Sequence, residues 1–139
     1  MKVKQIDNVY VVRLEIGDEI FESLTTLSKQ ENIKAATVQG LGAVDKIDIG
    51  YYSTDDNIYH TTEYNKQMEI ISLNGNISVK NGEPYLHLHG AFSDEKYSMI
   101  AGHLNKAFIS ITAEIFVTVL GGEIIRGVNK QTGLNVFDI

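Results

Sequence analysis

The chain has four histidines, and three of them stand in two neighbouring segments, PYLHLHGAF and AGHL. Alternate residues of a β-strand point to the same face, so a strand through the first segment places His87 and His89 on one face. Leu86, Leu88 and Phe92 then point to the opposite face, toward a hydrophobic core. Imidazoles at positions i and i+2 of a strand stand about 6.5–7 Å apart at their stems, so both rings can lean toward one metal ion.

His103 completes this set if the chain reverses direction between the two segments. The polar sequence Ser93–Lys96 predicts such a turn, which folds Tyr97–Leu104 back antiparallel to the strand that carries His87 and His89. Three neutral imidazoles and one open position are typical of a catalytic zinc site, because structural sites fill all four positions with protein ligands. The sequence therefore predicts a site for Zn²⁺, or another divalent transition metal, on His87, His89 and His103.

Other interpretations of the polar residues remain open. A His-x-His pair also occurs on exposed, hydrogen-bonded strand faces that bind no metal. Glu114, on the polar face of a later strand, is a candidate to orient a ligand or to act on bound water, and His60 is interpreted as a surface residue. A cupin also places His-x-His on a hairpin, but its following glutamate is absent, since Glu95 comes too late, and the only proline is Pro84. We therefore reject a cupin.

Composition restricts the chemistry further. The chain has no cysteine, which excludes disulfides, thiolate metal sites and cysteine nucleophiles. Its 12 basic and 18 acidic residues give a net charge of −6, which disfavours non-specific binding to nucleic acid. The N-terminus has no apolar region typical of a secretory signal, and no stretch of about 18 apolar residues occurs. These features predict a cytoplasmic protein without a membrane span.

The chain contains one long helical pattern, and the rest favours β-strands. Ile20, Phe21, Leu24 and Leu27 form an apolar stripe at helical spacing, and Asp18 is the expected N-cap. The strands are predicted at residues 8–16, 36–39, 44–52, 58–64, 67–73, 76–79, 85–92, 97–104 and 107–120, with a tight turn at Asn81-Gly82. One helix beside many strands predicts an α+β fold, a mainly antiparallel sheet with one amphipathic helix packed on it, in a single domain over residues 1–139.

The segments GDEIFESLTTLSKQENIKAATVQGLGAVDKIDIGYYS, MEIISLNGNIS, PYLHLHGAFSDE, AGHL and AEIFVTVL, in this order, resemble the plants-and-prokaryotes conserved (PPC) domain family over roughly residues 5–122. The resemblance implies a homotrimer and a metal held by histidines that match His87, His89 and His103. Many free-standing prokaryotic members are labelled DNA-binding. This chain lacks the Arg-Gly-Arg-Pro core of the AT-hook that precedes the domain in plant members.

The sequence leaves three hypotheses of function. The first is a free-standing, homotrimeric, metal-binding PPC domain with a ligand-binding or regulatory role, or with an unassigned metal-dependent reaction on a small molecule. The second is a DNA-associated regulator. The third is a structural assembly module, in which another chain covers Phe108, Phe116 and Leu120 on the less regular face of the last long strand.

Overall fold

The computed structural model describes all of residues 1–139 and contains one helix and eight strands. In chain order they are β1 (Lys2–Ile6), β2 (Val9–Glu15), α1 (Ile20–Gln30), β3 (Ala36–Ser53), β4 (Ile58–Lys80), β5 (Glu83–Ser93), β6 (Met99–Val119), β7 (Arg126–Val128) and β8 (Asn135–Phe137). No helix is both long enough and apolar enough to cross a membrane.

Six strands form one antiparallel sheet in the order β1-β2-β6-β3-β4-β5, and a further pairing joins β5 to β6. Strands β3, β4, β5 and β6 therefore pair in a closed circuit. The C-terminal half of β6 lies between β2 and β3, whereas its N-terminal half lies between β5 and β3. The predicted α+β architecture with a mainly antiparallel sheet is confirmed.

The single helix covers the core side of this sheet. Ile20, Leu24 and Leu27 are fully or almost fully buried, as the apolar stripe predicts. The predicted N-cap, however, is wrong by one residue: the carboxylate of Glu19 accepts a hydrogen bond from the backbone N–H of Glu22 at 2.8 Å. Glu19 is itself buried. Its other carboxylate oxygen accepts a hydrogen bond from the backbone N–H of Ala107 at 3.0 Å, which ties the start of the helix to β6.

The strands are longer than local patterns predict. Strands β3, β4 and β6 each unite segments that the sequence separates, since β-bulges bend the strands without ending them. Simple strand alternation would place Ile111 on the core face together with Ile109 and Ala113. One such irregularity, between the pairs Gly42–Ala113 and Val44–Ile109, interrupts the alternation at Ile111. Ile111 is consequently 54% exposed, whereas Ile109 and Ala113 are buried.

Turn chemistry determines the two hairpins that form the site. The predicted Asn81-Gly82 turn joins β4 to β5, and both residues have positive φ angles of 52° and 82°. Between β5 and β6, the carboxylate of Asp94 accepts hydrogen bonds from the backbone N–H groups of Lys96 and Ser98. The side chain of Asp94 therefore anchors the turn between β5 and β6.

Candidate metal centre

The histidine site is built on the paired strands β5 and β6. On β5, Leu88 and Phe92 are fully buried, and strand alternation turns His87 and His89 to the opposite side. The register of β5 and β6 places His103 directly across from His89. The sequence prediction that a turn returns His103 to the other two histidines is confirmed.

The three rings converge on one point. The ring centroids of His87 and His89 are 5.2 Å apart, those of His87 and His103 are 5.0 Å apart, and those of His89 and His103 are 5.4 Å apart. One nitrogen from each ring lies within 4.8 Å of the nitrogens from the other two. Nitrogens that share a tetrahedral ion through bonds of about 2.1 Å are about 3.4 Å apart, so the three rings stand close to the arrangement that an ion requires.

Burial and neighbouring charge keep two of these rings neutral. Burial, and then the neighbouring His103, Arg126 and His89, together lower the pKa of His87 to about 4. The pKa of His103 is also lowered, chiefly by burial and then by His89 and Arg126. A neutral imidazole offers the lone pair that a metal ion needs, so His87 and His103 need not release a proton at neutral pH before binding one.

A buried guanidinium lies directly behind the histidines. Arg126 at the start of β7 is only 7% exposed, and its Nη2 lies 3.5 Å from Nδ1 of His87. Its N–H groups donate to Ser78 Oγ at 2.7 Å, to Asn76 Oδ1 at 2.7 Å and to the backbone oxygen of Asn135 at 2.8 Å. All of these acceptors are uncharged, so the cation has hydrogen-bond partners but no carboxylate beside it.

Two aromatic rings enclose the same guanidinium. Its central carbon lies 4.7 Å from the ring centroid of Tyr85 and 4.5 Å from that of Phe137. The side-chain amide of Asn135 donates to the hydroxyl of Tyr85 at 3.3 Å, and Lys80 donates to Oδ1 of Asn135 at 2.6 Å. These contacts fix the β7–β8 hairpin against β4 and β5, next to His87.

Tyr59 forms the opposite side of the site. Its ring lies edge-on to His103 with centroids 5.8 Å apart, and its hydroxyl donates to Oδ1 of Asn105 at 2.8 Å. Gly50, the partner of His103 on β3, lies beneath this ring. A Cβ at position 50 would collide with the phenol of Tyr59, so only glycine permits this close approach.

The three histidines open into a cleft of about 590 Å³. The cleft is lined by Gly50, Tyr51, Tyr52, Tyr59, Tyr85, His87, His89, Ala101, Gly102, His103, Asn105, Gly133, Leu134, Asn135 and Val136. Apart from the histidines, Asn105 and Asn135, its walls are aromatic or apolar, and they contain no Asp, Glu, Lys or Arg. The volume suits a small organic molecule.

Two other residues singled out from the sequence lie away from this cleft. Glu114 is exposed on the part of β6 that pairs with Arg13 and Leu41, so the structure does not bring it to the histidines. His60 is exposed, as expected, with its Nε2 3.2 Å from Asp56. Sequence reasoning missed Arg126, which no local motif marks.

Comparison with known protein families and solved structures identifies relatives of this chain. The family model of the Plants and Prokaryotes Conserved (PCC) domain, for which the abbreviation PPC is also used, matches residues 1–121. The chain belongs to this family. The matched part of the PCC domain contains all three histidines, whereas Arg126 and the β7–β8 hairpin lie beyond it. A search of curated proteins gives no match.

Solved structures share the whole fold of this PCC chain. A candidate DNA-binding protein from Bacteroides thetaiotaomicron is 33% identical with a TM-score of 0.95, covering 99% of this chain and 96% of the other. A metal-containing protein from Archaeoglobus fulgidus is 31% identical with a TM-score of 0.87, covering 98% and 94%. A PPC protein from Pyrococcus horikoshii is 29% identical with a TM-score of 0.87, covering 99% and 94%.

Proposed function

We propose that this PCC domain is a metal-dependent ligand-binding protein, with one divalent transition-metal ion, foremost Zn²⁺, held by His87, His89 and His103. The observation that carries the proposal is the convergence of three imidazoles, with one nitrogen from each within 4.8 Å of the others. The metal-containing relative from Archaeoglobus fulgidus supports it.

The donor set fits such an ion. Imidazole nitrogens suit zinc and its neighbours in the first transition series, and a set of three leaves one coordination position open. When bound, zinc polarises a small ligand or lowers the pKa of a water molecule. The cleft provides space for the ligand, and its walls contain no carboxylate that could act as a general base.

Elemental analysis of protein purified without an affinity tag tests the metal site. We expect about one zinc ion per chain after incubation with zinc and removal of the excess. The His87→Ala/His89→Ala variant should bind none, whereas His60→Ala should bind as the wild type does, because His60 lies outside the cluster. Equal zinc contents in the wild type and the double variant, or none in either, would disprove the site.

We further propose that the chain assembles as a homotrimer. Leu41, Ile71 and Phe116 lie on neighbouring strands, face outward and are 58%, 53% and 49% exposed; we name them the outer apolar patch. Gln39 and Leu41 on β3 pair with Phe116 and Glu114 on β6, so Leu41 and Phe116 are diagonal neighbours on one face. Burial of such a patch against a second copy removes apolar surface from water.

Sedimentation equilibrium measures the assembly directly. A trimer has three times the chain mass of 15.5 kDa. Phe116→Glu should dissociate it, because the substitution places a charge in the buried face. Ile58→Glu is the control, since Ile58 is exposed but lies at the far end of β4. Monomeric wild-type protein would refute the trimer.

A second candidate function is DNA association, because the similar structure from Bacteroides thetaiotaomicron is that of a candidate DNA-binding protein. The net charge of −6 argues against strong electrostatic binding to phosphates. A gel-shift titration with AT-rich duplex DNA at low salt tests for this association. Retardation at micromolar protein that disappears as salt rises would support this function, and no retardation would end it.

A further inference from the structure

One cation, Arg126, lies beside the histidines, and no Asp, Glu, Lys or Arg lines the cleft itself. Arg126 is buried behind His87, and none of the ion pairs in the molecule includes it. The cleft lining contains no carboxylate. The carboxylate of Asp48 accepts a hydrogen bond from the cleft residue Asn105 at 3.1 Å, but Asp48 does not line the cleft.

The charge of Arg126 acts on the histidine cluster itself. Nη2 of Arg126 lies 3.5 Å from Nδ1 of His87, so the guanidinium stands beside the place where the three rings converge. Three neutral imidazoles add no negative charge to a bound ion. A divalent ion here would therefore add two positive charges to that of the guanidinium, with no protein anion lining the cleft to balance them.

We propose that the cleft selects a small organic carboxylate, whose charged group takes the open metal position and whose flat or apolar body lies between Tyr59, Tyr85 and Leu134. This inference rests on the metal site proposed above. An anion balances the excess charge, and the lining of tyrosines, Leu134 and Val136 suits an apolar body.

The C-terminal hairpin supplies both the guanidinium beside the histidines and one wall of the cleft. Arg126 begins β7, and residues 133–136 form one wall of the cleft. Both lie beyond residues 1–121, which match the family model. The histidines therefore belong to the matched domain, whereas the cation and this apolar wall come from the segment that follows it.

The test compares two probes of nearly equal shape, 4-fluorobenzoate and the neutral 4-fluorobenzamide, by fluorine NMR titration of zinc-loaded protein. We expect the carboxylate to bind at least about tenfold more tightly than the amide, because only the anion balances the charge of the site. Metal-free protein should lose most of this preference. Equal affinities of the two probes, or no binding of either at millimolar concentration, would overturn the inference.

A substitution pair tests whether the preference arises in this cleft. Leu134 lines the cleft and is 40% exposed, so polar replacements are compatible with folding. Leu134→Glu should weaken 4-fluorobenzoate binding by about fivefold relative to the isosteric Leu134→Gln, through repulsion between like charges. Equal affinity of the two variants would place the anion elsewhere and overturn the inference.

Zinc content, measured on the same samples, separates the two proposals. If wild-type protein binds no zinc, the proposed metal site fails and the carboxylate inference fails with it. If zinc is bound by His87, His89 and His103 but the two probes bind equally, only the inference on the ligand is wrong.

Discussion

His89 and His103 stand directly opposite each other on the antiparallel strands β5 and β6, with ring centroids 5.4 Å apart. This cross-strand pair is the centre of the site, and His87 joins it from the same face of β5. The turn anchored by Asp94 sets the register that produces the pair. The site therefore depends on one hairpin and on the two walls that enclose it.

Metal binding should stabilise the folded protein, because the unfolded chain does not hold the three rings together. At free zinc a thousandfold above the dissociation constant, the gain is about 4 kcal/mol, which raises the melting temperature by about 10 °C or more. His89→Ala should abolish this response, and His60→Ala should retain it. Scanning calorimetry with and without zinc measures both, and an equal response of the two variants would contradict the site.

Replacement of Arg126 by alanine should release the C-terminal hairpin from the cleft. The substitution removes the donors to Asn76, Ser78 and Asn135, and leaves buried acceptors without partners. We expect a loss of about 3 kcal/mol in unfolding free energy and faster proteolysis of residues 126–137. Lys130→Ala is the matched control, because Lys130 is an exposed cation of the same hairpin. Equal proteolysis rates would show that Arg126 does not hold the hairpin.

Gly50→Ala should displace Tyr59 without unfolding the sheet. The added Cβ meets the flexible end of the Tyr59 side chain, so the ring turns away from His103 and loses its hydrogen bond to Asn105. The expected cost is about 1 kcal/mol, together with a change in the NMR shifts of the His103 ring. Gly121→Ala, where a Cβ meets nothing within 4 Å, should change neither. An unchanged His103 spectrum in Gly50→Ala would refute this packing.

The Asp94 turn should make the metal-free protein sensitive to acid. Lys66, with the backbone N–H groups of Ser98 and Lys96, holds the pKa of Asp94 below its usual value of 3.8. Because the folded-state pKa is lower than the unfolded one, this stabilisation is complete above pH 3.8 and is lost as the pH falls through the folded-state pKa. Asp94→Asn should reduce the acid dependence, as urea unfolding between about pH 2 and pH 6 would show.

An exposed aspartate provides the comparison for this titration. Asp55 lies in the turn between β3 and β4 and takes part in no side-chain hydrogen bond. Asp55→Asn should leave the acid dependence as it is in the wild type. If the two variants respond alike to pH, the Asp94 carboxylate does not anchor the turn.

Local sequence patterns determined which side chains share a face and where some turns occur. Strand alternation placed His87 and His89 opposite Leu88, helical spacing predicted the buried face of α1, and Asn81-Gly82 predicted a hairpin. These features depend on backbone geometry within a few residues, so they can be inferred without knowledge of the rest of the chain.

Only the tertiary structure decided how distant segments meet. Tyr59 and Arg126 reach the histidines because β3, β4, β5 and β6 close on one another and the β7–β8 hairpin packs beside β4. Bulges change the strand registers and expose Ile111. Glu114 lies away from the cleft because it stands on the part of β6 that pairs with Arg13 and Leu41. The energy of such long-range pairing is shared among many residues, so it leaves no pattern in any single segment of the sequence. The guanidinium and the walls of the site therefore could not be predicted from the histidine motifs.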